Sequence, residues 1–219
     1  MQLKYIGHAS FIIKSKDAKL ITDPFDASKV GLKFPKQEAD IVTVSHQHSD
    51  HNHVSNITGD PLVIDWPGEF EKKGIRVSGF KTYHDPKKGE ERGENTLYKI
   101  ETEGITILHC GDLGHTLTDS IIDEIGDVDV LLIPVGGFYT ITAEEAAKVI
   151  KAVEPSYAIP MHFKTDQHDP KTFSDLTDLD AFLKTYGVDR SAVEETDVLT
   201  VKSDTLPEET KIVVMKMSQ

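Results

Sequence analysis

The stretch His46-Gln-His48-Ser-Asp50-His51 decides the interpretation of this sequence, and it comes directly after the apolar run Ile41–Val44. So compact an apolar run is typical of a strand that is buried on both faces. Because side chains alternate along an extended backbone, His46 and His48 point to the same side and can bind one metal ion through neutral imidazole nitrogens. Asp50 and His51 follow where the chain must turn, so they can face a neighbouring ion. The segment therefore predicts a metal site at the end of a buried strand.

Three more residues with metal-binding side chains follow predicted strands. His84 and His162 each come at the end of an apolar strand, and Asp112 follows His109-Cys-Gly, where a strand meets a glycine and must turn. Functional groups commonly lie where a strand of a rigid scaffold yields to a loop, although a lone loop histidine is more often an ordinary surface residue. Together with the histidine-rich segment, these residues supply enough donors for two neighbouring cations.

The composition excludes several classes of protein. The chain has 219 residues, which is enough to bury a sizeable core, and its one cysteine, Cys110, excludes an internal disulfide or a multi-thiolate metal site. No apolar run approaches the roughly 18 residues of a membrane span, and the N-terminus lacks the apolar stretch of a signal peptide. We therefore expect a cytoplasmic protein without membrane partners. With 24 basic and 37 acidic residues the net charge is −13, which disfavours nucleic-acid binding.

The hydrophobic pattern predicts an α/β fold in one domain, residues 1–219. Short strands dominate the N-terminal half, whereas helices alternate with strands further on, which suggests two packed sheets covered by helices. A capping box at Thr142 begins a helix that ends before Pro155, and two more helices are predicted at Thr118–Ile125 and Asp175–Tyr186. The predicted strands are Leu3–Ile6, Ser10–Ile13, Lys19–Thr22, Ile41–Val44, Leu62–Ile64, Ile75–Phe80, Thr96–Ile100, Ile105–His109, Val128–Ile133, Tyr157–Ile159 and Lys211–Met217.

The sequence resembles the metallo-β-lactamase fold of metal-dependent hydrolases. The resemblance runs from Gly7-His8 to Pro160-Met-His162 and is most specific in the histidine-rich segment. It implies a four-layer αββα sandwich, in which two mixed β-sheets are flanked by helices. Other stretches resemble, more loosely, a branch that includes L-ascorbate-6-phosphate lactonases and many uncharacterised hydrolases. These stretches are Arg92-Gly-Glu-Asn95, Gly111-Asp-Leu-Gly-His115 and Pro134-Val-Gly-Gly137.

The resemblance also implies a ligand assignment for two divalent ions. The ligands are His46, His48 and His84 for the first ion, Asp50, His51 and His162 for the second, and Asp112 as the bridge between them. Asp50 and Asp112 are then the acidic residues of the catalytic centre. We expect zinc, with Mn, Fe or Co as alternatives, because nitrogen and oxygen donors suit all four metals. The β-lactamases proper have a cysteine ligand where Asp112 stands, and Cys110 is predicted to be a buried strand residue, so antibiotic hydrolysis is disfavoured.

Further residues are predicted around the ions. The resemblance implies that Asp23 orients metal ligands; a turn residue before Pro24 is the alternative. Each of the other pocket candidates has a simpler interpretation as a loop or packing residue. These candidates are His8 and His115 for the pocket lining, Tyr139 for a hydroxyl near the leaving group, and Lys164 for contact with a substrate anion. The residues predicted to lie at the surface are His53, His168 and the charged run Lys87–Arg92 within the loop Asp85–Asn95.

These inferences together predict a dinuclear metal-dependent hydrolase. A metal-bridging hydroxide would attack a small, anionic ester, lactone or phosphoester. Two divalent ions outweigh the two aspartates and the hydroxide, so the pocket would attract a small anion although the chain as a whole is acidic. Two alternatives remain at this point: a metal-dependent nuclease or phosphodiesterase, and a metal-binding sensor without turnover. The physiological substrate and the oligomeric state do not follow from the sequence.

Overall fold

The computed structural model describes residues 1–218 and contains sixteen β-strands and four α-helices in that range. The strands of the first half are β1 (Gln2–Gly7), β2 (Ser10–Lys14), β3 (Lys19–Thr22), β4 (Gln37–Glu38), β5 (Ile41–Thr43), β6 (Ile57–Thr58), β7 (Leu62–Ile64), β8 (Gly68–Lys72), β9 (Ile75–Tyr83), β10 (Glu94–Thr102) and β11 (Ile105–His109). Those of the second half are β12 (Val130–Pro134), β13 (Tyr157–Met161), β14 (Glu194–Thr196), β15 (Leu199–Thr200) and β16 (Lys211–Met215). The helices are α1 (Ala27–Val30), α2 (Asp119–Ile125), α3 (Ala143–Val153) and α4 (Leu179–Tyr186).

Two large mixed sheets form the framework. The first has six strands in the order β15-β1-β2-β3-β5-β7, and the second has eight in the order β14-β16-β13-β12-β11-β10-β9-β8. In the first sheet β1, β2 and β3 pair antiparallel, whereas β3, β5 and β7 pair parallel. In the second, β8 to β11 pair antiparallel, whereas β11, β12 and β13 pair parallel. A short parallel pair, β4 with β6, lies outside both sheets.

The first sheet is apolar on both faces. Leu20 and Ile41 belong to a large buried cluster that also contains residues of the second sheet. Their neighbours Ile21 and Val42 belong to a smaller cluster, which includes Phe25. Successive side chains of a strand point to opposite faces, so β3 and β5 contribute to both clusters at once. This explains why their sequences are continuous apolar runs.

Helices and loops cover the outer faces of the sheets. The capping box of α3 is confirmed: the Thr142 N–H donates to Glu145 Oε2 at 2.8 Å and the Glu145 N–H donates to Thr142 Oγ1 at 3.3 Å. α3 buries Ala146, Val149 and Ile150 in the large cluster. The outer face of the first sheet is covered by α1 and irregular segments. The arrangement confirms the predicted α/β sandwich of two mixed sheets, with short helices in its outer layers.

Some predicted element boundaries were wrong. The helix predicted from Asp175 begins at Leu179, because the Asp178 side chain accepts a hydrogen bond from the Ala181 N–H and caps it there. The strand predicted to end at Met217 ends at Met215. The edge strand β8 was missed because three of its five residues are charged and none is fully buried, so it lacks a strong apolar alternation.

The strand directions bring six strand ends to one edge of the sandwich. β1 and β3 are both antiparallel to β2, and β5 is parallel to β3, so these three strands end on the same side. β9 and β11 are both antiparallel to β10, and β13 follows the direction of β11 through β12. None of the helices within residues 1–218 has the length and apolarity that crossing a membrane requires.

Candidate metal centre

The predicted site residues follow these six strand ends. They are His8 after β1, Asp23 after β3, the segment His46–His51 after β5, His84 after β9, Asp112 after β11 and His162 after β13. His8, Asp23 and His162 have positive φ angles of 56°, 38° and 52°. A left-handed backbone costs a residue with a side chain roughly 1–2 kcal/mol, and such strain is concentrated at functional sites. The surrounding fold therefore holds these three side chains in place against a local conformational preference.

The first histidine cluster consists of His46, His48 and His84. One ring nitrogen of each residue lies within 4.8 Å of the others. The centroid of the His46 ring is 4.6 Å from that of His48 and 4.7 Å from that of His84. His46 and His84 are buried, whereas His48 is exposed. The three imidazoles thus converge on one point that solvent reaches from the His48 side.

The second cluster consists of Asp50, His51 and His162, together with His8. One donor atom of each lies within 4.8 Å of the others, and Asp50 Oδ2 is 3.6 Å from His51 Nε2. His8 Nε2 lies 3.1 Å from Asp50 Oδ2, and the His8 ring packs on the ring of His162 with centroids 4.0 Å apart. The sequence predicted His8 only as a pocket-lining residue; in the structure it also contacts the carboxylate of a predicted ligand.

Asp112 lies between the two clusters and is buried. Its Oδ2 is 3.1 Å from His84 Nε2, in the first cluster, and 3.3 Å from His162 Nε2, in the second. Its Oδ1 is 3.3 Å from His51 Nε2. The carboxylate thus reaches rings of both clusters at once, which is the position that a bridging ligand requires.

Several buried donor atoms in this site have no hydrogen-bond partner. Among them are the Nε2 atoms of His46, His51 and His162 and the Oδ1 atom of Asp112. A buried polar group without a partner costs about 1–3 kcal/mol, so such atoms are rare in a folded protein unless a ligand satisfies them. Ligand atoms of His46, His51 and Asp112 lie within 4.8 Å of one another, and His162 Nε2 is 3.3 Å from the Asp112 carboxylate. Their chemistry, imidazole nitrogen and carboxylate oxygen, fits a divalent cation.

The protonation states favour the same interpretation. Burial, followed by the charge of His51, lowers the pKa of His46 well below its usual value, so its imidazole is neutral and able to bind metal. Burial opposes ionisation of Asp112, but His162, His51 and His84 outweigh burial and hold its pKa well below the usual range. Burial likewise opposes a charge on His51, yet Asp112 and Asp50 raise its pKa. A cation bound here would take over the neutralisation of these carboxylates from the His51 proton.

Asp23 orients residues of both clusters from behind. Its carboxylate accepts hydrogen bonds from the Ser45 N–H at 2.7 Å and from Ser45 Oγ at 2.6 Å, and it lies 2.9 Å from His51 Nδ1. Ser45 Oγ in turn lies 2.9 Å from His46 Nδ1. Protons on the two Nδ1 atoms leave the Nε2 atoms directed into the site, an arrangement typical of carboxylates that support metal-binding histidines.

Asn95 orients Asp112, a role that sequence reasoning missed. Its Oδ1 accepts the Asp112 N–H at 2.9 Å, and its amide donates to Thr82 Oγ1 at 2.9 Å and to the Cys110 carbonyl at 3.0 Å. Gly111 has a φ of +51°, and a Cβ there would lie 2.5 Å from Asn95 Oδ1, so this turn requires glycine. Cys110 itself is fully buried, and burial raises the pKa of its thiol. A sequence signal for Asn95 was its position in Arg92-Gly-Glu-Asn95, one of the stretches that carry the family resemblance.

The structure separates the remaining predicted pocket residues. Tyr139 lines a cavity over the two clusters, where its hydroxyl donates to the Thr172 carbonyl at 2.8 Å. His115 instead accepts a hydrogen bond from the Tyr83 N–H, and the Lys164 ammonium donates to the Ser174 carbonyl at 2.8 Å. Neither lines that cavity.

His168 was predicted to lie at the surface, and that prediction was wrong. It is buried beside the second cluster, with its ring centroid 5.7 Å from that of His8. The ring also packs against Phe173, and the Thr165 N–H donates to its Nδ1 at 3.1 Å. Its sequence context, Asp166-Gln-His168-Asp-Pro170, is polar and resembles an exposed loop, so the local sequence does not predict that His168 is buried.

Comparison with known proteins gives matches that span most of the chain. A family model described as "Beta-lactamase superfamily domain" matches residues 2–162. A solved structure of a metallo-β-lactamase superfamily protein from Thermotoga maritima is 37% identical, covers 98% of this chain and 97% of its own, and superposes with a TM-score of 0.79. A UPF0173 metal-dependent hydrolase from Carboxydothermus hydrogenoformans is 29% identical over a match that covers 75% of this chain and 85% of that protein. The metallo hydrolase Igni18 from Ignicoccus hospitalis, at 20% identity, shares the fold with a TM-score of 0.68 and covers 100% of this chain and 96% of its own.

Proposed function

This chain belongs to the metallo-β-lactamase superfamily of metal-dependent hydrolases, and we propose that it uses two divalent ions to hydrolyse a small anionic ester, lactone or phosphoester. The observation that carries the proposal is the position of Asp112, whose two carboxylate oxygens lie within 3.3 Å of ring nitrogens from both histidine clusters. One shared carboxylate between two convergent donor sets is the geometry of a two-ion centre.

We assign the donors to two ions. The first ion would be held by His46, His48 and His84, the second by Asp50, His51 and His162, and both by Asp112. When bound, the ions would acidify a bound water to a pKa of about 7 and polarise the carbonyl or phosphoryl oxygen of the substrate. We propose zinc as the metal, because an imidazole-rich set with few carboxylates suits it; Mn, Fe and Co fit the same donor types. Cys110 is buried directly after the end of β11, two residues before Asp112, so a thiolate ligand of the β-lactamase kind is not proposed.

The protein's own residues hold this centre and shape the space above it. His8 holds the Asp50 carboxylate, and Asp23 holds His51. The cavity that contains Asp112 has a volume of about 310 Å³, and Tyr139 and Phe173 form part of its wall. Phe173 is buried in this wall, whereas the proposed ligand His48 is exposed to solvent. A cavity of this size favours a small substrate.

Charge supports an anionic substrate. The two proposed ions carry more positive charge than Asp50 and Asp112 neutralise, and burial keeps the proposed ligand His46 neutral. The result is a small positive site in a chain of net charge −13. Such a site attracts a compact anion, whereas a long polyanion would lie across the repulsive acidic surface. This distinction favours a small substrate over a nucleic acid.

The test combines metal analysis with a substrate panel. The protein is loaded with zinc, analysed for metal, stripped with a chelator and reloaded. At each stage it is offered an aryl ester, a lactone, an aryl phosphodiester and RNA. We expect two ions per chain and hydrolysis of a small substrate that is lost on stripping and restored on reloading. Efficient RNA cleavage without small-molecule hydrolysis would instead indicate the nuclease, and metal binding without any turnover would indicate the sensor.

We also propose that residues 1–219 form one domain. The proposed ligands come from both halves of the chain, since His46 follows β5 and His162 follows β13. The large apolar cluster likewise combines residues of both sheets. A single unfolding transition in metal-free protein, coincident by circular dichroism and fluorescence, is the expected result. Two separate transitions would contradict it.

A further inference from the structure

Two cavities meet beside the metal centre, and Arg92 lines both. The first, of about 310 Å³, contains Asp112, and the second, of about 440 Å³, extends towards Trp66. His48, on the exposed side of the first histidine cluster, is the other residue that both cavities share. Among the residues of 1–218 that line these two cavities, Arg92 is the only lysine or arginine. One permanent cation therefore stands where both cavities open onto the centre.

The N–H groups of the Arg92 guanidinium are available to bind an anion. Its nearest carboxylate, that of Glu91, is 3.9 Å away, beyond hydrogen-bond distance, and within residues 1–218 no acceptor bonds to it. The neighbouring acids pair with other cations: Glu91 with Lys87 at 2.6 Å, and Glu94 with Lys81. The Arg92 side chain is 32% exposed, so it is neither buried against protein nor fully solvated. A guanidinium in this state presents a planar fork that matches a carboxylate or a phosphate.

Asp85 fixes the backbone that carries Arg92. Its side chain is buried, and its two oxygens accept hydrogen bonds from the backbone N–H groups of Lys87, Gly89, Glu91 and Arg92 at 2.8–3.1 Å. The charged loop is therefore a rigid turn anchored to the residue directly after His84.

We propose that Arg92 is the residue that selects the substrate, by binding its carboxylate or phosphate group while the bond to be hydrolysed lies at the metal centre. This inference rests on the proposed hydrolase function. The anchored loop places Arg92 in the lining of the cavity that contains Asp112, together with the proposed ligands His48 and His84. Because the loop is held by Asp85, little conformational freedom is lost when the anion binds. Arg92 thus discriminates between substrates, whereas the metal centre acts on the bond.

The kinetic test uses a matched pair of substrates, mono-(4-nitrophenyl) succinate and its methyl ester, which differ by one negative charge. Zinc-loaded wild-type protein should prefer the anionic ester by roughly 10–100-fold in kcat/KM, the range of one hydrogen bond to a charged group. In Arg92→Gln that preference should collapse to within about 3-fold, mainly through a higher KM, with the neutral ester unaffected. Arg92→Lys should be intermediate, since it keeps the charge but loses the planar fork.

The control is Arg76→Gln. Arg76 is an exposed arginine on β9 whose guanidinium donates to Glu101 at 2.9 Å, and it lines neither of the two cavities. The Arg76→Gln substitution removes one positive charge, as Arg92→Gln does, so it measures the effect of net charge alone. Its preference for the anionic ester should equal that of the wild type.

A binding measurement gives a second readout. Trp66 is the only tryptophan, and it lines the cavity that Arg92 shares. Titration of zinc-loaded protein with inorganic phosphate, and with succinate against neutral succinamide, should change the tryptophan fluorescence. The concentration of either anion that gives half-saturation should rise about 10-fold or more in Arg92→Gln and stay unchanged in Arg76→Gln.

The outcomes separate the two levels of the proposal. Zinc-dependent hydrolysis of both esters with equal preference in wild type and Arg92→Gln would overturn the role of Arg92 and leave the hydrolase proposal standing. Anion binding that ignores the Arg92 substitution would overturn it as well. Absence of zinc-dependent hydrolysis across the whole panel would count against the hydrolase, while an Arg92-dependent fluorescence change would still establish the anion site.

Discussion

Both histidine clusters consist mainly of imidazole donors, yet the protein holds them differently. The first has an exposed member, His48, on a turn that solvent reaches, and only His46 is linked to Asp23, through Ser45. In the second, His51 is hydrogen-bonded to Asp23 directly, and His162 is buried under His8. The difference indicates that the histidines of the second cluster are part of the protein's core, whereas the first cluster is completed at its surface.

The largest expected effect removes the residue that joins the two clusters. Asp112→Ala should weaken binding of both ions by more than the 10–100-fold typical of a change behind a metal ligand, and should abolish hydrolysis. It deletes the one carboxylate among residues 1–218 that reaches rings of both clusters. Metal content by elemental analysis after dialysis, with kcat/KM on the same samples, measures this. Asp119→Ala, an exposed aspartate at the start of α2, is the control and should change neither. Two retained ions and full activity in Asp112→Ala would refute the bridge.

The second prediction separates the clusters. His48→Ala should mainly release the first ion and leave the stability of the metal-free protein unchanged, because His48 is exposed. His162→Ala should mainly release the second ion and also lower the free energy of unfolding by about 2 kcal/mol, since it empties a buried site. Chelator competition gives the two affinities, and urea unfolding gives the stability. Equal loss of both ions in both variants would contradict separable sites.

The third prediction uses the support behind the ligands. Asp23→Asn should weaken the second ion by roughly 10–100-fold, because the amide retains only one acceptor oxygen for the donors now bound by the carboxylate. Asparagine tolerates the positive φ at this position, so the backbone should be preserved. Ser45→Ala should affect the first ion alone and less strongly, through His46. Competition with a chelating dye resolves the two constants. A larger effect of Asp23→Asn on the first ion than on the second would show that Asp23 mainly supports the first cluster, and would contradict the prediction.

The smallest effect concerns acid stability near the second cluster. Burial, with a smaller contribution from His162, lowers the pKa of His168 to about 4, against an ordinary value of about 6.5. A histidine whose pKa is lower in the folded state stabilises the fold above pH 6.5, and that contribution is lost as the pH falls towards 4. Metal-free protein should therefore lose about 2 kcal/mol between pH 6.5 and pH 5 from this group.

The test is urea unfolding of metal-free His168→Asn at the two pH values. Asparagine does not titrate and keeps an acceptor for the Thr165 N–H, which donates to the His168 ring in the wild type. The variant should lose correspondingly less stability on acidification. His53→Asn, a partly exposed histidine hydrogen-bonded to Ser55, is the control and should behave as the wild type does. Identical acid sensitivity in all three proteins would show that His168 is not protonated on unfolding.

Much of the fold was predictable because its strands and helices depend on patterns of neighbouring residues. The apolar runs of β3 and β5 and the capping box at Thr142 follow from residues a few positions apart, and both were confirmed. The edge strand β8 was missed, because its charged sequence Gly68–Lys72 acquires strand structure only by pairing with β9. The same limit applies to His168, which is covered by Phe173 and His8 after the chain folds back on itself.

The sequence by itself indicated which chemistry to expect, because the spacing of His46, His48, Asp50 and His51 after a buried strand predicts a metal site. Strand periodicity does not reach these side chains, since β5 ends at Thr43 and the segment that follows is made of bends and turns. Only the tertiary structure decided how that chemistry is arranged. His8 meets Asp50, Asn95 holds Asp112, and Arg92 faces the cavity, because sheet packing and a buried aspartate bring together groups that no local pattern relates. Such contacts depend on the directions of whole strands, and strand direction is a property of the folded sheet.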